Sequence, residues 1–247
     1  MQSYDQQFYT DLDETAAPSA RRIVPMVSQL VTVGSAIDIG CGDASWLDVF
    51  RENGVEDVFG VDGDWVEEAQ IKIPLDRFAR RRLDRPLELD RRFDLAVCLE
   101  VAEHLQPAAA EPFVAELCGL APVVLFSAAI PHQGGLHHYN EQWPAYWSNL
   151  FAAKGYRAID AIRPAIWRDD EVSWWYKQNT LLFANEEALA ASPQLQEALE
   201  RSPEVPPSMV HPGMYDEVLR RAEPSFGPWF WMGWAAMRRS LKKRFGF

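Results

Sequence analysis

Three side chains able to move a proton or hold a cation stand together at Glu100, Glu103 and His104, directly after the apolar run Leu95-Ala96-Val97-Cys98-Leu99. A second polar group follows the apolar stretch 122–130: the glycine-containing segment 131–142 carries His132, His137 and His138, three of the five histidines in the chain. Short apolar runs of this kind read as strands, which places both groups at strand ends, with Glu103 and His104 in the first turn of the next helix. Neighbouring fourth and fifth strands bring the two groups to one edge. Imidazole titrates near neutral pH, so His104, His137 and His138 are candidate general bases with Glu103 beside them. His132 is most simply a solvated loop residue.

The second chemical feature is Asp38-Ile39-Gly40-Cys41-Gly42, where an apolar strand meets a glycine turn and a helix begins near Ser45. Glycines there let the backbone approach a ligand, and the helix start offers free N–H groups. Dinucleotide-binding turns read GxGxxG, whereas Ser45 holds the third glycine position and Asp38 precedes the turn. A carboxylate there repels a pyrophosphate and suits an ammonium group. Asp62 follows at the tip of the second strand, where an acid accepts from both hydroxyls of a ribose. S-adenosylmethionine (SAM) has a cationic aminocarboxylate, a sulfonium and a ribose, and no phosphate. The competing reading is a Rossmann-like domain for NAD or a nucleotide sugar, which the placement of Asp38 disfavours.

These residues need a regular frame. Strands are expected at 36–39, 58–62, 78–84, 93–100, 122–130, 156–162 and 179–183, with helices at 19–30, 45–51, 65–71 and 141–154. Apolar runs separated by helices imply parallel strands covered on both faces. No helix fits comfortably in 163–178, which holds Pro164, Asp169-Asp170-Glu171 and Trp174-Trp175, so the last strand is expected to be antiparallel. That loop then lies at the ligand-binding edge.

The stretches AIDIGCGDASW, GVDGD, RRLDRPLEL and RFDLAVCLEVAEHL resemble the successive motifs of class I SAM-dependent methyltransferases, in order, from about residue 35 to 185. The resemblance implies an α/β, Rossmann-like, doubly wound sheet of seven mostly parallel strands, with a helical segment over 1–34 and a C-terminal helical extension over 186–247. It implies that Asp38, Gly40 and Gly42 hold the amino-acid part of SAM, Asp62 the ribose and Asp84 the adenine amino group, with Cys41, Gly63, Leu99 and Glu100 lining the same turns. Asp84, among Arg81, Arg82 and Arg85, is also readable as a surface ion pair. The E-x-x-E-H string is similar to the divalent-metal site of small-RNA 2′-O-methyltransferases and some ubiquinone-pathway O-methyltransferases. By that likeness Glu100, Glu103, His104 and either His138 or His137 would hold Mg²⁺, Mn²⁺, Fe²⁺ or Zn²⁺ and activate a substrate hydroxyl. The same string occurs in metal-free methyltransferases. The implied activity is O-methylation of a small molecule or glycan; the alternatives are N- or C-methylation or another SAM-using transfer, and a non-catalytic SAM-binding module.

For the acceptor, Tyr139, Asn140, Trp143, Trp174 and Trp175 put aromatics and amides near the ligand edge, a mixture that stacks on sugar faces and bonds their hydroxyls. Their segments are loosely similar to bacterial methyltransferases of glycan and secondary biosynthesis; the tryptophans are equally readable as core. The chain has 247 residues, a length that suits one catalytic domain, and its formal net charge of −12 argues against nucleic acid as partner. Three unpaired-looking cysteines and no signal-like or membrane-spanning stretch point to a soluble, cytoplasmic protein. Composition changes after Asn185. Residues 228–234 are rich in tryptophan and precede Arg238, Arg239, Lys242, Lys243 and Arg244, so an anionic membrane's inner face is one partner to test for 228–247 and the protein's own surface or a second subunit another. The sequence leaves oligomeric state open, a dimer included.

Overall fold

The computed structural model describes residues 6–222, with side chains from residue 15 onward. Helix α1 (Gln6–Leu30) begins well before Ser19 and runs through Pro18 and Pro25. Then come β1 (Ser35–Ile39), α2 (Ser45–Glu52), β2 (Asp57–Asp62), β3 (Phe78–Arg80), β4 (Leu95–Leu99), α3 (Ala110–Leu120), β5 (Val123–Ser127), α4 (Pro144–Ala152) and β6 (Arg157–Ile159). Helices α5 (Ile162–Ile166) and α6 (Trp174–Asn179) lead to β7 (Leu181–Ala184), followed by α7 (Glu186–Ala191), α8 (Pro193–Arg201) and α9 (Pro212–Ala222).

The seven strands form one sheet in the order β3-β2-β1-β4-β5-β7-β6. β1 to β5 pair in parallel, and β7 runs antiparallel to both β5 and β6. The expected seven-stranded, mostly parallel sheet with a reversed last strand is therefore what the chain forms. Side chains alternate across each strand. On β4, Leu95, Val97 and Leu99 join a core with α1, α2 and α8, while Ala96 and Cys98 join one with α3 and α4. Both faces are covered, which is why the strand runs are apolar throughout.

Local chemistry sets the element ends. Asp43 Oδ1 accepts from the backbone N–H and hydroxyl of Ser45 at 3.0 and 2.7 Å, fixing the turn that enters α2. α4 has Pro144 in its first turn, and Gly155 past its end takes the left-handed conformation (φ +83°). Asn185 and Ser192 cap α7 and α8.

Three expectations change. Between β2 and β3 there is no α-helix over 65–71, only a short 3₁₀ turn at Glu68–Gln70; Ile71 is followed by Lys72-Ile73-Pro74, and Pro74 allows no further helical hydrogen bond through its nitrogen. β3 spans three residues and stops at Arg80, short of Asp84. The stretch 163–178 does contain helix, in two short pieces around the Arg168–Ser173 turn. Pro164 falls in the first turn of α5, where a missing N–H costs nothing.

Residues up to His211 form one compact unit and those from Pro212 a second. The first thus extends past the composition change at 185: Ser192 Oγ donates to Leu30 O at 2.6 Å and Ser202 Oγ accepts from Asp160 N at 2.9 Å. Of the second unit, α9 carries Arg221 paired with Glu217 at 3.0 Å. The aromatic and basic stretch 228–247 lies outside the described residues. Among those described, no helix is long and apolar enough to cross a membrane.

Candidate functional site

The glycine turn and the tip of β2 form one hydrogen-bonded unit. Gly40 and Gly42 have φ of +81° and +55°, and the Gly40 and Cys41 N–H groups bond Val61 O at 2.8 and 3.2 Å. Asp62 accepts from Gly42 N at 2.7 Å and from Gly63 N at 2.6 Å, so the acid locks the turn twenty residues upstream. A Cβ at Gly40 would lie 2.5 Å from Val101 Cγ2, so the missing side chain is a packing requirement too. At Gly63 the Trp65 ring fills the place a Cβ would take, 2.2 Å from it. Trp65, 40% exposed, therefore overhangs the Asp62 corner, a role that no sequence motif marks.

Asp38, on β1, is 3% exposed, and among the described residues its carboxylate has no hydrogen-bond or ion-pair partner. Burial, and then the charges of Asp62 and Asp43, push its pKa well above the usual carboxylate range. Asp43 has a cation of its own, Lys72, at 3.0 Å. Asp38 has none, so a bound cation is the group that would complete it.

At the exit of β4 the backbone turns sharply. Glu100 sits in the left-handed region (φ +55°), its N–H bonded to the carbonyl and the hydroxyl of Ser127, both at 3.0 Å. Its carboxylate accepts from Asn179 Nδ2 at 3.0 Å and from Gln133 Nε2 at 2.8 Å. Glu103 and His104 follow on a separate 3₁₀ turn, Ala102–His104, and not on the first turn of a long helix; α3 begins only at Ala110, after the Pro107 turn. Glu103 is 1% exposed and both its carboxylate oxygens lack a hydrogen-bond partner. Burial and then the Glu100 charge push its pKa well upward. His104, whose Nδ1 is buried and unpartnered, is driven down to about 4 by burial and by His138.

The loop after β5 brings His138 to this corner. Tyr139 N and Asn140 N bond the carbonyl of Glu103 at 2.8 and 3.0 Å, fastening the loop to the 3₁₀ turn. The rings of His104 and His138 meet edge to face with centroids 4.8 Å apart, and ligand atoms of Glu103, His104 and His138 all lie within 4.8 Å of one another. His138 Nδ1 is 3.0 Å from Glu141 Oε1, which also accepts from Gly134 N; Glu141 Oε2 accepts from His132 N.

The structure thus gathers Glu103, His104 and, of the two alternative histidines, His138, and leaves Glu100 outside the group. Glu100 is committed to Asn179 and Gln133. His137, in the left-handed conformation (φ +60°), turns away to stack on Tyr139, whose hydroxyl is 3.1 Å from its Nδ1. Asp84 lies four residues past the end of β3, exposed and bidentate with Arg82 at 2.6 and 2.9 Å, the surface ion pair that its neighbours foreshadow. Arg82 holds its pKa down. Leu99 and Cys41 are buried beside the turns.

Of the acceptor candidates, Asn140 is 1% exposed with its Nδ2 unpartnered, while Tyr139 and Trp143 are 52% and 38% exposed. Trp174 and Trp175 are half-buried on α6, ring centroids 5.4 Å apart. Glu141, Gln133 and Asn179 join the site without appearing in the sequence-derived set. For Glu141 a signal exists, a carboxylate three residues after a histidine; Gln133 and Asn179 have none, because amides are common in polar loops.

Residues 9–117 match the family model described as a methyltransferase domain. No curated protein sequence matches the chain. Its fold is similar to that of an O-methyltransferase family protein from Burkholderia thailandensis, at 14% identity and a TM-score of 0.53, covering 74% of this chain and 60% of that one. It is similar also to Streptomyces venezuelae DesVI (14%, TM-score 0.56, 74% of this chain and all of that one). A third is SAM-bound CalS10, an amino pentose methyltransferase from Micromonospora echinaspora (13%, TM-score 0.54, 75% and 99%). Sheet order and glycine turn give the chain a Rossmann-like fold, and its residues 9–117 match a methyltransferase-domain model, in line with the resemblance of the sequence motifs.

Proposed function

We propose that the chain transfers the methyl group of SAM to a hydroxyl of a small molecule or glycan. The observation that carries the cofactor assignment is Asp38: a nearly fully buried carboxylate without a partner, at the glycine turn, beside an acid suited to a ribose. An ammonium fits Asp38 and a pyrophosphate does not. A sugar acceptor is supported by the exposed Tyr139 and Trp143 next to the buried Asn140 amide, and by the likeness to a methyltransferase whose own acceptor is an amino pentose.

Methyl transfer needs alignment of nucleophile, methyl and sulfur, and one proton acceptor. Glu103, His104 and His138 fit a divalent cation: two orphaned carboxylate oxygens, an unpartnered imidazole nitrogen, and a second imidazole whose Nδ1 is held by Glu141, leaving Nε2 to the corner. Such an ion, when bound, lowers the pKa of an acceptor hydroxyl. His138 orients toward that corner through Glu141, and Asn140 offers an N–H to an acceptor oxygen. A metal-free reading rests on the same pair, since Glu141 also orients His138 to take the acceptor's proton itself, whether from oxygen or from nitrogen.

The reading is tested by calorimetry of the full chain with SAM and with S-adenosylhomocysteine (SAH), followed by mass spectrometry of reactions with a panel of sugars and phenols, with and without a chelator. Binding of both cofactors and a mass gain of one methyl on a hydroxylated acceptor are expected. Binding of neither sinks the assignment. Undiminished turnover after chelation rejects the metal and keeps His138 as base.

A further inference from the structure

The carboxylate of Glu100 terminates a directed chain of buried amides. His211 N donates to Gln178 Oε1 at 2.8 Å, which fixes the orientation of that amide, so Gln178 Nε2 donates onward to Gln133 Oε1 at 3.2 Å and to Asn179 Oδ1 at 3.1 Å. Ile130 N also donates to Gln133 Oε1, at 3.3 Å. Both receiving amides therefore have their oxygens occupied and present N–H groups, and both aim them at Glu100. Backbone N–H groups cannot reverse, so no amide in the chain can flip without facing donor to donor. The terminus has to be an acceptor, which a carboxylate is; burial raises the Glu100 pKa, and the N–H groups of Asn179 and Gln133 work against that rise.

Gln178, Gln133 and Asn179 are 0%, 6% and 4% exposed, so the relay is a built feature. Glu100 also keeps a left-handed backbone, a conformation that disfavours a residue with a side chain. Glycine or asparagine would relieve that strain and remove the anion with it. Metal ligation does not explain the carboxylate, because Glu100 lies outside the Glu103, His104, His138 group. Its position relative to Asp38 does. β1 and β4 are neighbours with Asp38 in register with Val97. Burial, and then the charges of Asp38, Glu103 and Glu100, raise the pKa of the Cys98 thiol, and burial with the charges of Glu100 and Asp38 raises that of the Tyr176 phenol. Asp38 and Glu100 thus stand at the tips of neighbouring strands.

We infer that Glu100 is the counter-charge of the cofactor's sulfonium, held there by Gln133 and Asn179, and that the protein thereby separates SAM from SAH by charge. This rests on the SAM reading above. SAM carries two cations, the ammonium assigned to Asp38 and the sulfonium; transfer to a hydroxyl leaves a neutral thioether, the methyl ether and one proton. Glu100 attracts the substrate form and is indifferent to the product form. Product then leaves because its charge is gone.

Calorimetry on the full chain with SAM, SAH, and the analogue in which an amine-bearing carbon replaces the methylsulfonium tests this. Wild-type protein is expected to bind SAM and the charged analogue at least about tenfold tighter than SAH. Glu100→Gln is expected to weaken both cations at least about tenfold and to move SAH less than about twofold. SAH binding as tight as SAM in the wild type overturns the inference without any variant, so a Glu100→Gln protein that fails to fold does not shield it. Equal weakening of all three in the variant overturns it too, as the mark of a structural role. Wild-type protein that binds none of the three refutes the SAM assignment itself.

Discussion

His138 Nδ1 lies 3.0 Å from Glu141 Oε1, and the same carboxylate gathers the backbone N–H groups of His132 and Gly134. One acid therefore shapes the loop and engages His138 Nδ1, which leaves Nε2 as the imidazole nitrogen outside that contact. Glu141→Ala is expected to lower turnover about 10–100-fold, the usual scale for losing the group that orients a functional histidine, while affinity for SAM stays within about twofold. Steady-state rates together with cofactor calorimetry check the pair of outcomes.

Glu103 is the most strained charge in the centre. Its folded pKa is raised, so its contribution to stability is full below the ordinary value of 4.5 and is lost as pH rises through the folded value. Glu103→Gln has no such loss. The variant is expected to be more stable than wild type by about 1–2 kcal/mol at about pH 8, with the gap closing toward about pH 4. Thermal melts across that range decide it. Adding Mn²⁺ should raise the wild-type melting temperature and leave the variant unmoved.

Asp38 predicts a proton balance. Its pKa is raised in the folded chain by burial and by Asp62 and Asp43, and an ammonium beside it pulls that pKa back down. SAM binding should thus release a proton, and affinity should rise with pH through the range in which free Asp38 titrates. Calorimetry in two buffers of different ionisation enthalpy measures the release. Asp38→Asn should lose about 100-fold in affinity for SAM, about 2.7 kcal/mol, and release none.

Gly40→Ala should destabilise the protein by about 2–4 kcal/mol, because the new Cβ meets Val101 Cγ2 at 2.5 Å and the residue keeps a positive φ. Val101→Ala in the same chain should recover the steric part and leave the backbone part. Urea unfolding of both single variants and the double variant checks this.

The turn at 38–42, the partner acid at 62 and the sheet with its reversed last strand are legible in the sequence because each depends on local pattern: apolar runs, glycines with a forced conformation, an acid at a strand tip. The acidic and histidine centre is half legible. Its members stand out by type, but Glu100 and Glu103 differ only in what lies above them, and that comes from Gln133 and Asn179, 33 and 79 residues away from Glu100. Asp84 misleads because β3 is an edge strand three residues long, too short to leave a periodic signal. α6 is hidden since its six residues include two adjacent tryptophans, and burial by tertiary packing, not helix propensity, stabilises so short a piece.

The reversal of β7 has an engineering consequence. Leu182 pairs with Ile159 and Leu181 with Phe126, so the segment between β6 and β7 leaves the sheet and re-enters it at adjacent points on the ligand edge. Residues 160–180 form an excursion with fixed ends, pinned in between by Ile162, Ile166, Val172 and Tyr176 in the core. Exchanging its exposed positions, Ala165, Arg168, Asp170 and Glu171, would alter that edge without rethreading the sheet, provided that the buried Ile166 and Val172 and the closing Gln178 and Asn179 stay.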